Sequence, residues 1–343
     1  MCEQVPEQQG GARPDVCEGA QPGCVPGSCA EARQGAFRTL GVVAAVLVVA
    51  AAFQAAVWPA EVTAAVAVVV VLAFLGLHVR SRVVRTQAGL AVVRDRRIHG
   101  ERVRVLAQGG VYQSATYVGE RRFEPVFAYQ RAFETMFEAE GAFRAVRGHG
   151  IRRVLAIGGG GYAWPKYALT QHAELAMDVV EIDPAVTEVA RRWFYLGEVE
   201  ALAGERLSLI TAEGRAYLGE AADRVARGEA EPYDAIVNDT FVGREPVRAL
   251  ATVEAARAAK ACLAPGGLYL TNVVSAGDGG DLAFLRDEVA TLSQVFVCVS
   301  VIPATDDTWS GEDNYLVIAS DADYAFAGAI PYDTDFLGEP LRD

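Results

Sequence analysis

Val154-Leu155-Ala156-Ile157-Gly158-Gly159-Gly160-Gly161-Tyr162-Ala163-Trp164 is the stretch whose reading decides the fold. Four apolar residues of strand character run into four glycines and then into a helix-forming segment. Glycine tolerates positive φ and lets a ligand approach the backbone closely. A strand, a glycine turn and a helix in that order open a parallel α/β layer, whose ligands bind beyond the carboxyl ends of the strands.

The same grammar repeats downstream. MDVVEID (177–183) leads into PAVTEVARRWFYL, with Pro184 placed at a helix start. RLSLITA (206–212) leads into a helix, and YDAIVND (233–239) into a loop and a helix closed by Pro265-Gly266-Gly267. LYLTNVV (268–274) precedes a helix over 281–294, and VFVCVSVI (295–302) and NYLVIAS (314–320) complete the set. Repeated strand–helix units of this length predict a mostly parallel sheet covered by helices on both faces, over 151–325. Upstream, RVRVLAQ, VYQSATYVG and RFEPVFAY read as short alternating strands, and residues 130–148 as a helix with Phe133, Met136, Phe137 and Phe143 as its core stripe. Residues 102–150 are thus expected to form a small β-domain plus a connecting helix, and 326–343 an acidic tail.

Strand ends select the candidate site. The first carries Gly158, Gly159, Gly160 and Gly161; the second ends at Glu181, placed to accept hydrogen bonds from ribose hydroxyls. The third ends at Ala212-Glu213-Gly214 and the fourth at Asn238-Asp239-Thr240. A dinucleotide fingerprint is disfavoured, because Trp164 stands where GxGxxG needs its last glycine. Each carboxylate also has a structural alternative: Asp239 is placed to cap the segment after it, and Tyr112 and Tyr129 are as suited to packing as to substrate contact.

Charge narrows the partners. The chain has 343 residues and a formal net charge of −13, and residues 106–343 carry 36 acidic against 20 basic side chains. That excludes the basic footprint of nucleic-acid binding and suits a cationic substrate. Of six cysteines, Cys2, Cys17, Cys24 and Cys29 lie in the N-terminal tail at spacings that match no zinc pair, and Cys262 and Cys298 fall in an expected helix and strand. No metal site is expected.

Residues 1–36, rich in Gly, Pro, Gln and Glu, read as disordered. Leu40–Trp58 and Val62–Val79 are apolar runs long enough to cross a hydrocarbon core of about 30 Å, joined by Pro59-Ala60-Glu61. Residues 37–80 are therefore expected to be a transmembrane hairpin, with Gln54 and His78 as its polar members. Arg80, Arg82, Arg85, Arg94, Arg96 and Arg97 follow it, so 81–101 reads as a basic juxtamembrane linker able to touch anionic headgroups. Arg33 and Arg38 precede the first run and the turn has no Lys or Arg. The positive-inside rule then predicts a multi-pass cell-membrane protein with both termini and the catalytic domain cytoplasmic.

VYQSATYVG, VLAIGGGGYAW, VVEIDPAV, AEGRAYL, YDAIVNDTF and LAPGGLYLTN together resemble, in order, the motifs of the spermidine synthase (polyamine aminopropyltransferase) family. The resemblance covers about residues 102–320 and is closest to that family's membrane-fused, distant branch. It implies a Rossmann-like, seven-stranded sheet of the class I AdoMet-methyltransferase type, with a small N-terminal β-domain. It implies that Gln113 contacts the nucleoside, Glu181 the ribose, Glu213-Gly214 the adenine region, and that Asp239 is the catalytic carboxylate, with Tyr112, Tyr129 and Thr240 near the substrate. The donor implied is decarboxylated S-adenosylmethionine, or S-adenosylmethionine itself, the acceptor a small amine, and a homodimer is compatible with the family. Gly161 and Val242 stand where the family carries carboxylates that grip the cationic ends of donor and polyamine. An AdoMet-dependent methyltransferase on the same fold, or a membrane-tethered nucleoside-binding domain without chemistry, are the alternatives.

The chemistry asks for a carboxylate on physical grounds too. An amine attacks carbon only when neutral, yet its pKa lies near about 10. A carboxylate at a strand end can take that proton and attract the substrate cation.

Overall fold

The computed structural model describes residues 59–242, 245–276, 281–305 and 312–343. The 1–36 tail with its four cysteines, the apolar run Leu40–Trp58 with Gln54, and the side chains of His78 and Val242 lie outside the described residues. The chain divides into two compact units, residues 1–77 and 78–343.

α1 (Ala60–Arg80) takes up the second apolar run over 21 residues, as far as Leu77 within the first unit. Its side chains are described from Glu61 to Gly76, Thr63 excepted. Among the described residues no helix is long and apolar enough to cross a membrane.

The second unit begins with a four-stranded antiparallel sheet in sequence order: β1 (Ser81–Thr86), β2 (Gly89–Ile98), β3 (Glu101–Gln108) and β4 (Val111–Tyr117). The expected linker over 81–101 is therefore two strands. Ala91 and Val93 point inward and are buried, while Arg94 and Asp95 fall on the segment's more exposed stretch, and Asp95 pairs with Arg104 of β3 at 2.6 Å. The arginines serve a sheet surface, and two-residue alternation rather than charge density governs the segment. RFEPVFAY is not a strand either: it meets β4 through a bridge from Thr116 to Pro125 and a hydrogen bond from Thr116 Oγ1 to the Arg122 carbonyl before α2 (Ala128–Ala132) begins. A 3₁₀ stretch (Phe133–Ala139) and α3 (Glu140–Arg147) then bury Phe133, Met136 and Phe143, with Phe137 packed against them.

The main sheet has seven strands in the order β12-β13-β11-β8-β5-β6-β7. These are β5 (Arg153–Ile157), β6 (Ala176–Glu181), β7 (Leu207–Thr211), β8 (Tyr233–Asn238), β11 (Leu263–Ala276), β12 (Cys298–Pro303) and β13 (Glu312–Ser320), with the short β9 (Phe241–Val242) and β10 (Glu245–Pro246) forming a separate hairpin. β5, β6, β7, β8 and β11 are parallel, and β13 lies antiparallel between β11 and β12. Between them run α4 (Ala163–Gln171), α5 (Pro184–Trp193), α6 (Leu196–Ala203), α7 (Gly214–Ala226), α8 (Val253–Cys262) and α9 (Ala283–Ser293).

Strand alternation supplies two cores. Val154, Ala156, Val237 and Leu270 face Ala168, Leu169 and Val189 on one side. Leu155, Ile157, Ile236 and Tyr269 face Leu218, Ala259, Leu285 and Val289 on the other. Each such aliphatic side chain, once buried, stabilises the fold by roughly 1.5–3 kcal/mol.

The acidic 326–343 segment is docked along the domain. Gly338 donates its N–H to the Arg286 carbonyl, Leu341 donates to Thr291 Oγ1 at 2.8 Å, and Val253 donates to the Leu341 carbonyl at 2.9 Å. Asp343 accepts from Thr252 Oγ1 and Arg215. Its acidic composition hid backbone pairing, which charge does not report.

Candidate functional site

The strand order reverses at β5, which has β6 on one side and β8 on the other, and the carboxyl ends there open a crevice. A cavity of about 500 Å³ fills it, within the range of small-molecule sites.

The glycine turn forms its floor. Gly158 (φ +94°) donates its N–H to the Val180 carbonyl of β6, while Asp239 donates to the Ile157 carbonyl. A Cβ on Gly158 would meet the Asp239 carbonyl oxygen at 2.2 Å. Glycine is therefore needed here both for its conformation and for the close approach of the β5 and β8 ends. At Gly159 a Cβ would strike the ring of Tyr162. Tyr162 itself sits at φ +54°, fully buried, sharing a 2.8 Å hydrogen bond with Thr187. Trp164, where a dinucleotide motif has glycine, donates its indole N–H to Glu134 at 2.8 Å and packs on Phe133. It ties the connecting segment to α4, a packing use that explains the departure. Gly161 has no room for a side chain: a Cβ would lie 2.3 Å from Ser114 Oγ and 3.0 Å from the Phe194 ring.

Four carboxylates line the cavity, and three are spoken for by backbone. Glu181 accepts from the N–H groups of Gly159 (2.9 Å), Gly160 (3.1 Å) and Asp183 (2.9 Å). It holds the glycine turn in place from the end of β6. Asp183 caps α5 by accepting from Ala185 N–H, and also accepts from Gln87 N–H at the tip of the β1–β2 hairpin. Glu213 caps α7, accepting from Arg215 and Ala216 N–H groups at 2.9 and 2.7 Å. Gly214 behind it packs against Ile157, where a Cβ would lie 2.6 Å from Cγ2.

Asp239 differs. It caps nothing. Its carboxylate accepts from Asn272 Nδ2 at 3.4 Å and from the Tyr129 hydroxyl. Burial pushes its pKa up to about 6, against the lowering effect of those two donors. The Tyr129 phenol is itself raised well above its ordinary range, first by burial and then by the charge of Asp239, so it stays protonated and donates. Thr240 beside it donates to Asn238 Oδ1 at 2.8 Å.

Gln113, Gly158, Gly159, Gly160, Gly161, Glu181, Glu213, Gly214, Tyr129, Asp239 and Thr240 thus meet around one cavity. Tyr112 does not join them: it is 44% exposed and lies outside the lining, at the point where the β3–β4 register shifts. Sequence reasoning missed Gln87, Ser114, Gln130 and Asp183, which also line it. Asp183 was within reach, standing two residues beyond Glu181 at the same strand end. Gln87 was hidden by the reading of 81–101 as a linker. No group of metal-binding side chains occurs among the described residues.

The spermine/spermidine synthase domain family matches residues 141–305. Polyamine aminopropyltransferase 2 of Hyperthermus butylicus is 32% identical over 126 residues, which are 36% of this chain and 39% of that protein. The human eEF1A lysine and N-terminal methyltransferase is 29% identical over 150 residues, 42% of this chain and 20% of that protein. The chain therefore spans under two fifths of the length of these curated relatives, both transferases by name. Among solved structures, a probable spermidine synthase from Corynebacterium glutamicum aligns with a TM-score of 0.55 at 22% identity, covering 71% of this chain and 81% of that one. Its likeness supports the sheet-and-helix fold described above. Across residues 141–305 the chain is similar to the spermine/spermidine synthase domain, on an α/β fold shared with a solved probable spermidine synthase.

Proposed function

We propose that this protein transfers an aminopropyl or related group from a decarboxylated-AdoMet-type donor to a small amine, with Asp239 as general base. One observation carries the reading: of the four carboxylates lining the cavity, Asp239 alone accepts from no backbone amide among the described residues. No Lys or Arg lines the cavity among the described residues, so the lining favours a cation and offers a donor's carboxylate no ionic partner. Glu181 and the glycine turn would face the ribose, and Gln113 and Glu213 the rest of the nucleoside.

The acceptor amine reaches carbon as its proton passes to Asp239. The nitrogen–carbon bond forms as the carbon–sulfur bond breaks, and the electron pair of that bond returns to sulfur, neutralising the sulfonium. With its pKa at about 6, Asp239 is ionised at neutral pH yet basic enough to share a proton. Incubating the full chain with decarboxylated AdoMet and a panel of diamines is expected to release methylthioadenosine. No release across the panel, with the donor shown to bind, overturns the reading.

Ser114 favours a second reading. Its hydroxyl occupies the place beside Gly161 where a carboxylate would grip an ammonium, leaving that end of the cavity neutral. A donor that keeps its own carboxylate meets less repulsion there, which suits methyl transfer from AdoMet. Formation of S-adenosylhomocysteine in the same assay distinguishes it.

The apolar runs 40–58 and 62–79 support a membrane tether on the cytoplasmic face. Membrane fractionation with protease protection of an epitope at each end tests it: recovery of the chain in the soluble fraction sinks the tether.

A further inference from the structure

Next to the strand end that carries Asp239, a second and much smaller hole lies between β8, β11 and α9. Its volume is about 10 Å³, and Asn238, Thr240, Thr271, Asn272 and Glu288 line it. That is the space of one water molecule.

Two buried polar atoms there have no partner among the described residues: Oε2 of Glu288 and Oδ1 of Asn272. Glu288 is 1% exposed and Asn272 6%. An unpartnered buried polar atom is costly, so two around one water-sized hole call for a bridging water. The other polar groups of the lining are engaged among themselves: Asn238 donates to Tyr269 and Thr271, and Thr240 donates to Asn238. Only the other end of the Asn272 amide reaches outward, its Nδ2 donating to Asp239.

We propose that a single water bridges Glu288 Oε2 and Asn272 Oδ1, and that Glu288 is thereby a positioning residue for Asp239. With Oδ1 held from behind by the water, the Asn272 amide cannot flip, and its N–H stays aimed at the carboxylate. Burial pushes Glu288 up to about 8, so at neutral pH it is mainly a carboxylic acid that donates to the water, which donates in turn to Asn272. The titratable group facing Glu288 from the neighbouring strands, among the described residues, is the Tyr269 phenol; Asp239 faces Tyr129 and Asn272. On α9 itself, Arg286 and Asp287 are turned to the 335–339 segment. The importance of the relay for turnover rests on Asp239 being the base, but its existence does not.

The test follows the Asp239 carboxylate itself, by infrared difference between each protein and its Asp239→Asn counterpart across pH. Glu288→Gln, which still bridges, is expected to leave the midpoint within about 0.3 units. Glu288→Leu, which frees the amide to flip, is expected to raise it by about one unit, a tenfold change in protonation. No shift in either variant overturns the proposal. A downward shift in both does so as well, since it would mean Glu288 acts only as a nearby negative charge. Should the Leu variant not fold, a high-resolution crystal structure of the unaltered chain decides: water within hydrogen-bond distance of both atoms supports the relay, and an empty hole ends it. Neither readout uses turnover, so failure here leaves the transferase reading standing, and absence of transfer leaves this test intact.

Discussion

The two walls of the cavity use the same side chain for opposite purposes. On the β6–β7 wall, Glu181, Asp183 and Glu213 spend their oxygens on backbone N–H groups and so build the site. On the β8–β11 wall, Asp239 accepts, among the described residues, from Asn272 and Tyr129 alone and is left able to exchange a proton. Position at a strand end does not distinguish these roles; hydrogen-bond partners do. A carboxylate tied to amides is stabilised as an anion, whereas one enclosed with few donors is held near the protonation midpoint that acid–base chemistry needs.

Four experiments press on that contrast. The largest effect is expected at Asp239→Asn, with turnover falling roughly 10²–10⁴-fold while the fold persists, checked by methylthioadenosine release beside a circular dichroism melt. If activity survives, the division between the walls is wrong. Gly158→Ala forces a Cβ into the Asp239 carbonyl at positive φ. It is expected to cost roughly 2–4 kcal/mol and lower the melting temperature by about 5–15 °C, joining both walls in one failure. Glu181→Gln removes charge from an acceptor of three amides. A loss of about 1.5–3 kcal/mol is expected, seen as weakened nucleoside binding by calorimetry and a lower melting temperature. Glu213→Ala removes a helix cap and should cost only about 0.5–2 kcal/mol of stability; nucleoside affinity lost well beyond that would show the residue to be a ligand contact too.

The pH dependence sharpens the contrast further. The folded pKa of Asp239 lies above its unfolded value of 3.8. Between those values the folded state binds the extra proton, so Asp239 makes the protein less stable as pH rises from about 4 to 6, with no further change above. Asp239→Asn should therefore melt higher than the parent at pH 8, and the gap should close at pH 4. Turnover should run the other way, rising through pH 6 as the carboxylate ionises.

Much of this arrangement is legible in the chain. The run from Val154 to Trp164 announces the sheet, and strand ends bring Glu181, Glu213 and Asp239 to one cavity because parallel strands share a carboxyl edge. What the residues did not disclose is who bonds to whom. Glu213 reads as a nucleoside contact and caps a helix. Residues 81–101 read as a linker because a run of arginines follows the apolar segment, although Ala91 and Val93 already keep a strand's period. The 326–343 segment docks through main-chain bonds that side-chain chemistry does not encode. Glu288 left a faint sign: it falls on the apolar stripe Leu285–Val289–Leu292 of α9, where a charged residue is out of place.

The placement of β13 has a consequence for how the protein is made. It lies between β11 and β12, yet it leaves the ribosome after both. Until residue 320 has been synthesised, β11 and β12 have no partner along the edges that β13 will fill. Unpaired edges invite pairing with other chains, so a nascent protein paused between residues 303 and 320 is at its most sticky, and one strand, arriving late, silences two edges at once.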